Sequence, residues 1–459
     1  MTKAITTESG PSKLDRRNFF KVGGALVAGS ALSLSPATHA AQDEEDTKPP
    51  SKVTNYRMLG RTSFKASDIS LGCGRINEAN VIRYAYDRGV NYFDTAETYG
   101  NGDSERKIGE AMPHMDRKEI FITTKLWVVA ETTEAEIIER FGKCQERLNT
   151  DYVDALYLHG VGDASIVTHE GFHNAVAKLK AEGKLRHAGI SSHGPSGDEP
   201  DSMEKVLCAA AEDGRFDLML LAYNFMNQEE GLNVLAACKK NNIGTTGMKM
   251  TPGVIQVDPF DPDNPTEEYA GYMKRIMDRG RTREEAIERV TRWVNEQTEQ
   301  IDKTKPFLAK HGIKTEEELY NKSLRWVLQN KDMHTICVSM PGYDDIDKTL
   351  PLSGTTLSSA DRAFLRDYAY AFNNMYCRHA CSSCVTSCPE RLPVSSIMRY
   401  SYYYQQQKRE KFAMRKYARL ENKTASHCLT CEAPCNGACP HGINIQANLV
   451  KAHTLLSFV

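Results

Sequence analysis

Two runs of cysteine carry the densest chemistry in this 459-residue chain. Of its thirteen cysteines, eight fall between Cys377 and Cys439. The first run is Cys377-x3-Cys381-x2-Cys384-x3-Cys388-Pro389, and the second is Cys428-x2-Cys431-x3-Cys435-x3-Cys439-Pro440. Thiols spaced this closely ligate metal or pair as disulfides. Eight thiolates supply two 4Fe–4S clusters, because a short loop wraps one cube while the last cysteine of such a run often reaches the other cluster. The strict C-x2-C-x2-C-x3-C-P spacing is not kept, so the assignment of each thiol to a cluster stays open. Zinc held by four thiolates also uses paired C-x2-C, but the x3 gaps and Cys-Pro endings suit it less. Four disulfides are the third reading, and the close Cys381/Cys384 pair makes a poor framework for them. Cys73, Cys144, Cys208, Cys238 and Cys337 are scattered and form no such pattern.

A second constellation mixes a carboxylate, a phenol, an ammonium and an imidazole: Asp94, Tyr99, Lys125 and His159. Three follow an apolar run, as in Phe93-Asp94, Ile122-Thr123-Thr124-Lys125 and Leu156-Tyr157-Leu158-His159, and Tyr99 comes five residues after Asp94. Those runs are strands. Eight are predicted, at Asp68–Leu71, Tyr92–Thr95, Ile120–Thr124, Val153–Leu158, Ala188–Ser191, Leu218–Ala222, Gly244–Met248 and Thr335–Ser339. Helical periods separate them, for example Ile137, Phe141, Cys144 and Leu148 behind a capping box at Thr133/Glu136. Strands alternating with helices imply a parallel sheet, and eight is the number that closes a (β/α)8 barrel; an open doubly wound sheet is the alternative. In such a barrel the chemistry sits just past the C-terminal ends of the strands, where these four residues fall. Taken singly, each is an ordinary cap, loop aromatic, strand end or core histidine; four together at consecutive strand ends argue for a site. Tyr56 to Lys65, centred on Gly60, is predicted as a hairpin under the barrel floor.

The chain here resembles the aldo/keto reductase family over about residues 54–358. The motifs are Leu59-Gly60-Arg61-Thr62, the Asp94–Gly109 block with Glu105 and Ile108, Lys125, Asp154–His159, and Gly189-Ile190-Ser191. The resemblance implies a TIM-barrel oxidoreductase that interconverts a carbonyl and an alcohol with NADP or NAD. It makes Tyr99 the general acid, Lys125 the cation that eases its ionisation, Asp94 the partner of Lys125, and His159 a hydrogen-bond donor to the substrate oxygen. A free tyrosine has a pKa near 10, and an adjacent ammonium lowers it. The resemblance also puts Tyr223 under the nicotinamide ring and Ser191 and Ser192 on its carboxamide. Two departures stand out: Leu220 replaces the usual Gln, and Asp344 and Asp345 lie where a basic 2′-phosphate pocket is expected. NAD, or a weakened cofactor site, follows from that substitution. A competing reading is an iron–sulfur electron-transfer protein whose barrel uses no nicotinamide; a non-catalytic scaffold is a third. His193, just after the fifth strand, faces the same side as the tetrad and is assigned no role.

The flanks complete the organisation. Residues 1–41 resemble a twin-arginine export signal: Arg16-Arg17-Asn18-Phe19-Phe20-Lys21, a short apolar stretch at Val22–Leu34, then small residues. This implies passage through the Tat translocase to the periplasm; a disordered tail with a chance Arg-Arg is the alternative. Residues 42–53 read as a linker, 54–369 as the barrel, and 370–459 as a small, mainly helical Cys-rich domain resembling ferredoxin-like domains appended to some aldo/keto reductases. A long connection, Thr251 to about Lys314, is read as either a substrate lid or a docking shelf for the last domain. Lys408 to Arg419 is basic at helical spacing and reads as a solvated face, with docking of an acidic redox partner protein the sharper idea. Lys plus Arg number 58 against 60 Asp plus Glu, a balance that gives no general reason to bind nucleic acid. No apolar run reaches the length of a membrane span.

Overall fold

The computed structural model describes residues 51–195, 201–252, 259–278, 280–313 and 316–457. The leader at 1–41 and the linker up to residue 50 lie outside the described residues. Ser51 to Val53 are already docked: Val53 N donates to Arg88 O at 2.8 Å, and the Val53 side chain is buried.

Strands β1 (Tyr56–Met58) and β2 (Lys65–Ser67) form an antiparallel hairpin. It closes the floor of a barrel of eight parallel strands, in the order β10-β3-β4-β5-β6-β7-β8-β9. These are β3 (Ile69–Gly72), β4 (Tyr92–Asp94), β5 (Phe121–Leu126), β6 (Val153–Leu158), β7 (Leu185–Ser191), β8 (Leu218–Ala222), β9 (Gly244–Met248) and β10 (Thr335–Val338). Gly60 at the hairpin tip has φ +52°, and a Cβ there would lie 2.2 Å from Gly244 N, so only glycine lets the hairpin meet the foot of β9.

Side chains alternate along each strand, and that period of two sorts the layers. Isoleucine, valine and leucine point outward to the surrounding helices, while Tyr92, Phe121, Ala155, Tyr157, Leu218 and Leu220 fill the lumen. Tyr92 stacks on Phe121 with centroids 5.3 Å apart. One step higher on the same inward rows come Asp94 and Thr123, and above them Lys125 and His159. The aromatic plug thus makes the lumen a packed core, with its polar residues at the upper end.

The long connection after β9 carries two helices, Glu267–Met277 and Arg283–Lys310, the second behind a capping box at Thr282/Glu285. Tyr269, Tyr272, Met273, Ile276, Val290 and Trp293 of this insertion share one apolar core with Leu392, Val394, Ile397, Tyr417, Leu449 and Val450 of the Cys-rich segment. Of the two roles considered for the connection, the packing is that of a shelf. Pro50–Val459 clusters as one compact unit. After β10 the chain is helical, ending with Ile445–Leu456. No helix among the described residues is long and apolar enough to cross a membrane.

Candidate active site

The β5 row places Lys125 at the upper end of the lumen, fully buried. Its Nζ donates to Asp94 Oδ1 at 2.7 Å and to Thr95 O at 2.6 Å, while Thr123 Oγ1 donates to Asp94 Oδ2 at 2.9 Å. Burial favours loss of the Lys125 proton, yet Asp94 outweighs it, and the ammonium is held above the usual lysine range. Tyr99, on the loop after β4, brings its ring centroid within 5.2 Å of Nζ. Gly74 makes room for it, since a Cβ there would touch the ring at 3.2 Å. Burial pushes the Tyr99 phenol up to about 12 against the downward pull of Lys125, so the group stays protonated at neutral pH. His159 stands edge-on to Tyr99 at 5.7 Å, and burial, with Lys125, holds its imidazole neutral. The arrangement is a protonated acid over a fixed cation, beside a neutral hydrogen-bonding ring.

Of the three residues expected at a nicotinamide, Ser191 and Ser192 lie near the barrel mouth and Tyr223 lies in the helical layer. Ser191 Oγ accepts from Gly160 N at 2.9 Å and donates to Leu158 O at 3.3 Å, tying β7 to the end of β6. Ser192 Oγ accepts from Gly194 N at 3.2 Å. Both serines are buried near the mouth, each hydroxyl accepting from a loop N–H. Tyr223 does not join the tetrad. Its ring packs on Trp326 at 4.8 Å, over Gly231, and its hydroxyl accepts from Asn330 Nδ2 at 3.1 Å. Residues just past Ala222 turn Tyr223 into the helical layer, and Asn224 faces the Cys-rich segment instead, donating to Lys249 O at 3.0 Å and Tyr376 Oη at 3.1 Å.

A sequence profile of the aldo/keto reductase family matches residues 71–363. The chain belongs to the aldo/keto reductase family. It is 34% identical over 157 residues to an uncharacterised oxidoreductase, YqkF, of Bacillus subtilis, covering 30% of this chain and 49% of that one. It is 27% identical over 218 residues to D-threo-aldose 1-dehydrogenase of a Pseudomonas species, covering 38% and 63%. The chain spans about half the length of the curated relatives it matches. Among solved structures, the holo form of aldo-keto reductase AKR11C1 from Bacillus halodurans aligns with 70% of this chain and 97% of its own, at 18% identity and a TM-score of 0.48.

This family member adds a cover to its barrel mouth. The profile match ends at residue 363, and the residues beyond it reach back over the tetrad. Lys249, just after β9 with φ +56°, donates from Nζ to Tyr403 Oη at 2.7 Å. Burial would raise the Tyr403 phenol, but Lys249 and Arg399 outweigh it and bring it down to about 7. Tyr403, when ionised, is close enough to raise the Tyr99 phenol, and Arg409 lies within electrostatic reach of both. Lys416 acts in the same way on His159 and His193. Arg409 and Lys416 were expected on a solvated face; Lys411 and Arg415 are exposed, while these two turn inward. Nothing in the local sequence marks Tyr403 or Lys249, which lie 154 residues apart.

A row of histidines leads away from Tyr99. His193 lies 6.4 Å from His159, and His379 lies 6.2 Å from His193, centroid to centroid. His379 sits between Cys377 and Cys381. Here the barrel and the Cys-rich segment touch backbone to backbone: a Cβ on Gly194 would lie 2.2 Å from Ala380 Cα, and Asn227 Nδ2 donates to His379 O at 2.7 Å. All eight clustered cysteines are free thiols. Electrostatically, Cys377 neighbours Cys381, Cys384 and Cys439, and Cys428 neighbours Cys388, Cys431 and Cys435. Among the described residues no three His, Cys, Asp or Glu side chains are arranged to hold a single metal ion.

Proposed function

We propose that the chain is an oxidoreductase that interconverts a carbonyl and an alcohol, with Tyr99 passing the proton to or from the substrate oxygen. The observation that carries this is the buried Lys125–Asp94 pair beneath the Tyr99 ring. Tyr99 is protonated before reduction and donates; Lys125 steadies the phenolate left behind; neutral His159 offers a hydrogen bond without adding charge. A nicotinamide, when bound, supplies or accepts the hydride. The proton side of the site fits that cofactor. On its far side, the Ser191 and Ser192 hydroxyls accept from loop N–H groups, Tyr223 lies in the helical layer, and Asp344 and Asp345 stand where basic residues for a 2′-phosphate are expected, which favours NAD over NADP. The same three observations support a second reading, an electron-transfer protein whose barrel takes no nicotinamide.

In this reading the Cys-rich segment is a ferredoxin-like domain. Cys377, Cys381, Cys384 and Cys439 hold one 4Fe–4S cluster, and Cys388, Cys428, Cys431 and Cys435 hold the other. Support comes from the donor set: eight free thiols, with Cys377 near Cys381, Cys384 and Cys439, Cys428 near Cys388, Cys431 and Cys435, and Cys384 near Cys435 where the two sets meet. Such clusters pass single electrons, which calls for a redox partner protein. The Arg16-Arg17 leader would send the folded protein through the Tat translocase to the periplasm.

The test is an anaerobic visible spectrum of the full-length protein, with iron and sulfide analysis, before and after NADH or NADPH. Broad visible absorption that bleaches on addition supports the whole reading. Absorption that stays unchanged favours the second. A Tyr99→Phe variant that keeps full carbonyl turnover removes Tyr99 from its role.

A further inference from the structure

Five cations converge on the covered mouth. Lys249 comes from the end of β9, Arg75 from the end of β3, Arg399 from the helix Val394–Gln405, and Arg409 and Lys416 from the segment at the helix Glu410–Ala418. Around the Tyr403 ring, Arg399 Cζ lies at 5.1 Å, Lys249 Nζ at 5.3 Å and Arg409 Cζ at 5.8 Å. Arg409 and Lys416 also flank Phe412, at 3.8 and 5.7 Å. Stacking of this kind fixes guanidinium groups in place before a ligand arrives.

Their counter-charge is missing. Among the described residues none of the five forms an ion pair with a carboxylate, whereas Lys125 pairs with Asp94 and Arg57 caps backbone carbonyls. Arg399 Nε is buried without a hydrogen-bond partner. The Tyr403 oxygen can balance one charge at most. Half-buried cations left in excess repel one another, and an anion that entered would recover that energy. Lys249 is aimed by its own backbone: its left-handed φ is an uncommon conformation for a lysine, held by Asn224 on its carbonyl.

We propose that Lys249, Arg399, Arg409 and Lys416 form an anion-binding subsite beside Tyr99, and that the substrate is a carbonyl acid or its hydroxy-acid counterpart rather than a neutral aldehyde. The inference rests on the carbonyl–alcohol reading above. It gives the C-terminal segment a part in substrate selection. The carboxylate lies on the cationic side while the carbonyl oxygen meets Tyr99 and His159.

The probe is malonate, titrated calorimetrically into the full-length holoprotein, with inorganic phosphate and neutral acetone as companions and NADH binding followed separately. Malonate is expected to bind, acetone not, and Arg399→Gln and Lys416→Gln to weaken malonate at least tenfold while changing NADH affinity less than twofold. Arg399→Lys, which keeps the charge, restores part of the affinity and shows that the loss is not misfolding. No malonate binding to the native protein, or equal binding in both Gln variants, overturns the proposal. So does a parallel loss of phosphate and NADH binding with malonate untouched, which would give the cations to a nucleotide. Variant-sensitive malonate binding in a protein that takes no nicotinamide supports the subsite and removes the hydride-transfer reading alone.

Discussion

Gly194→Ala adds one methyl group where the barrel meets the Cys-rich segment. The new Cβ would stand 2.2 Å from Ala380 Cα, 2.8 Å from its carbonyl carbon and 2.7 Å from its oxygen. Carbon contacts settle at about 3.5 Å or more, so the two backbones must part by about 1.3 Å. Neither neighbour is a flexible side chain that can swing away. The φ of +88° adds strain of about 1–2 kcal/mol for any residue with a Cβ. Overpacking contributes a further ~1–3 kcal/mol. The Asn227–His379 hydrogen bond, 2.7 Å long, cannot survive the separation intact. The expected outcome is a urea midpoint lowered by an amount equivalent to about 2–5 kcal/mol. Faster amide hydrogen exchange should appear at residues 376–385, with β5 and β6 protected as before. A variant with the native midpoint and native exchange at 376–385 would refute the close contact and the coupling drawn from it.

Lys125→Met leaves the Asp94 carboxylate buried without its ammonium and should cost about 3–5 kcal/mol. The double variant with Asp94→Leu should cost less than the sum of the single changes, in a urea-based double-mutant cycle. One tyrosine should ionise near pH 7 in an ultraviolet phenolate titration, vanish in Tyr403→Phe and move upward in Lys249→Met. Because that phenol is more acidic folded than unfolded, its contribution to stability is complete above the ordinary tyrosine range and is lost as pH falls through about 7. Asp217 is half-buried, yet His187, Ala188 N and Lys180 hold its carboxyl well below the usual range. Its stabilisation is therefore present above about pH 4 and lost as pH falls further. Asp217→Asn should cost about 1–3 kcal/mol at neutral pH, and acid unfolding curves of the two proteins should converge at low pH.

The barrel was legible because each strand is a short apolar run with β-branched residues, closed by a turn. Most predicted strand ends lie within one or two residues of those observed, as with Asp68–Leu71 against Ile69–Gly72. β7 begins three residues earlier than expected, since Arg186 and His187 make its first half look like a loop. There Arg186 lies at the barrel foot, paired with Asp154, where a charged side chain costs a strand nothing. The tetrad was legible for a related reason: a period of two fixes which residues look inward, so types and offsets carry the geometry. Tyr223 shows the limit of that logic, because it lies beyond the last strand residue, where no period holds. The helix Glu267–Met277 was not read at all. Its apolar side, Tyr269, Tyr272, Met273 and Ile276, acquires meaning only from partners in the last part of the chain. Arg409 and Lys416 were read with their neighbours as a solvated surface; the charge count of a helix does not say which charges turn inward.

The shelf after β9 has a consequence for the order of synthesis. Every barrel strand has been made once Val338 is added, and the sheet can close when β10 has cleared the exit tunnel. The insertion helices cannot finish packing: Tyr272, Val290 and Trp293 wait for Leu449 and Val450, near the very end of the chain. Until those residues are made, a nascent chain carries a closed barrel and a bare apolar ledge. That interval is also the last in which the mouth stands uncovered, before the C-terminal helices settle over Tyr99. A chain stopped at residue 370 would keep its ledge exposed for good, and aggregation is its expected fate.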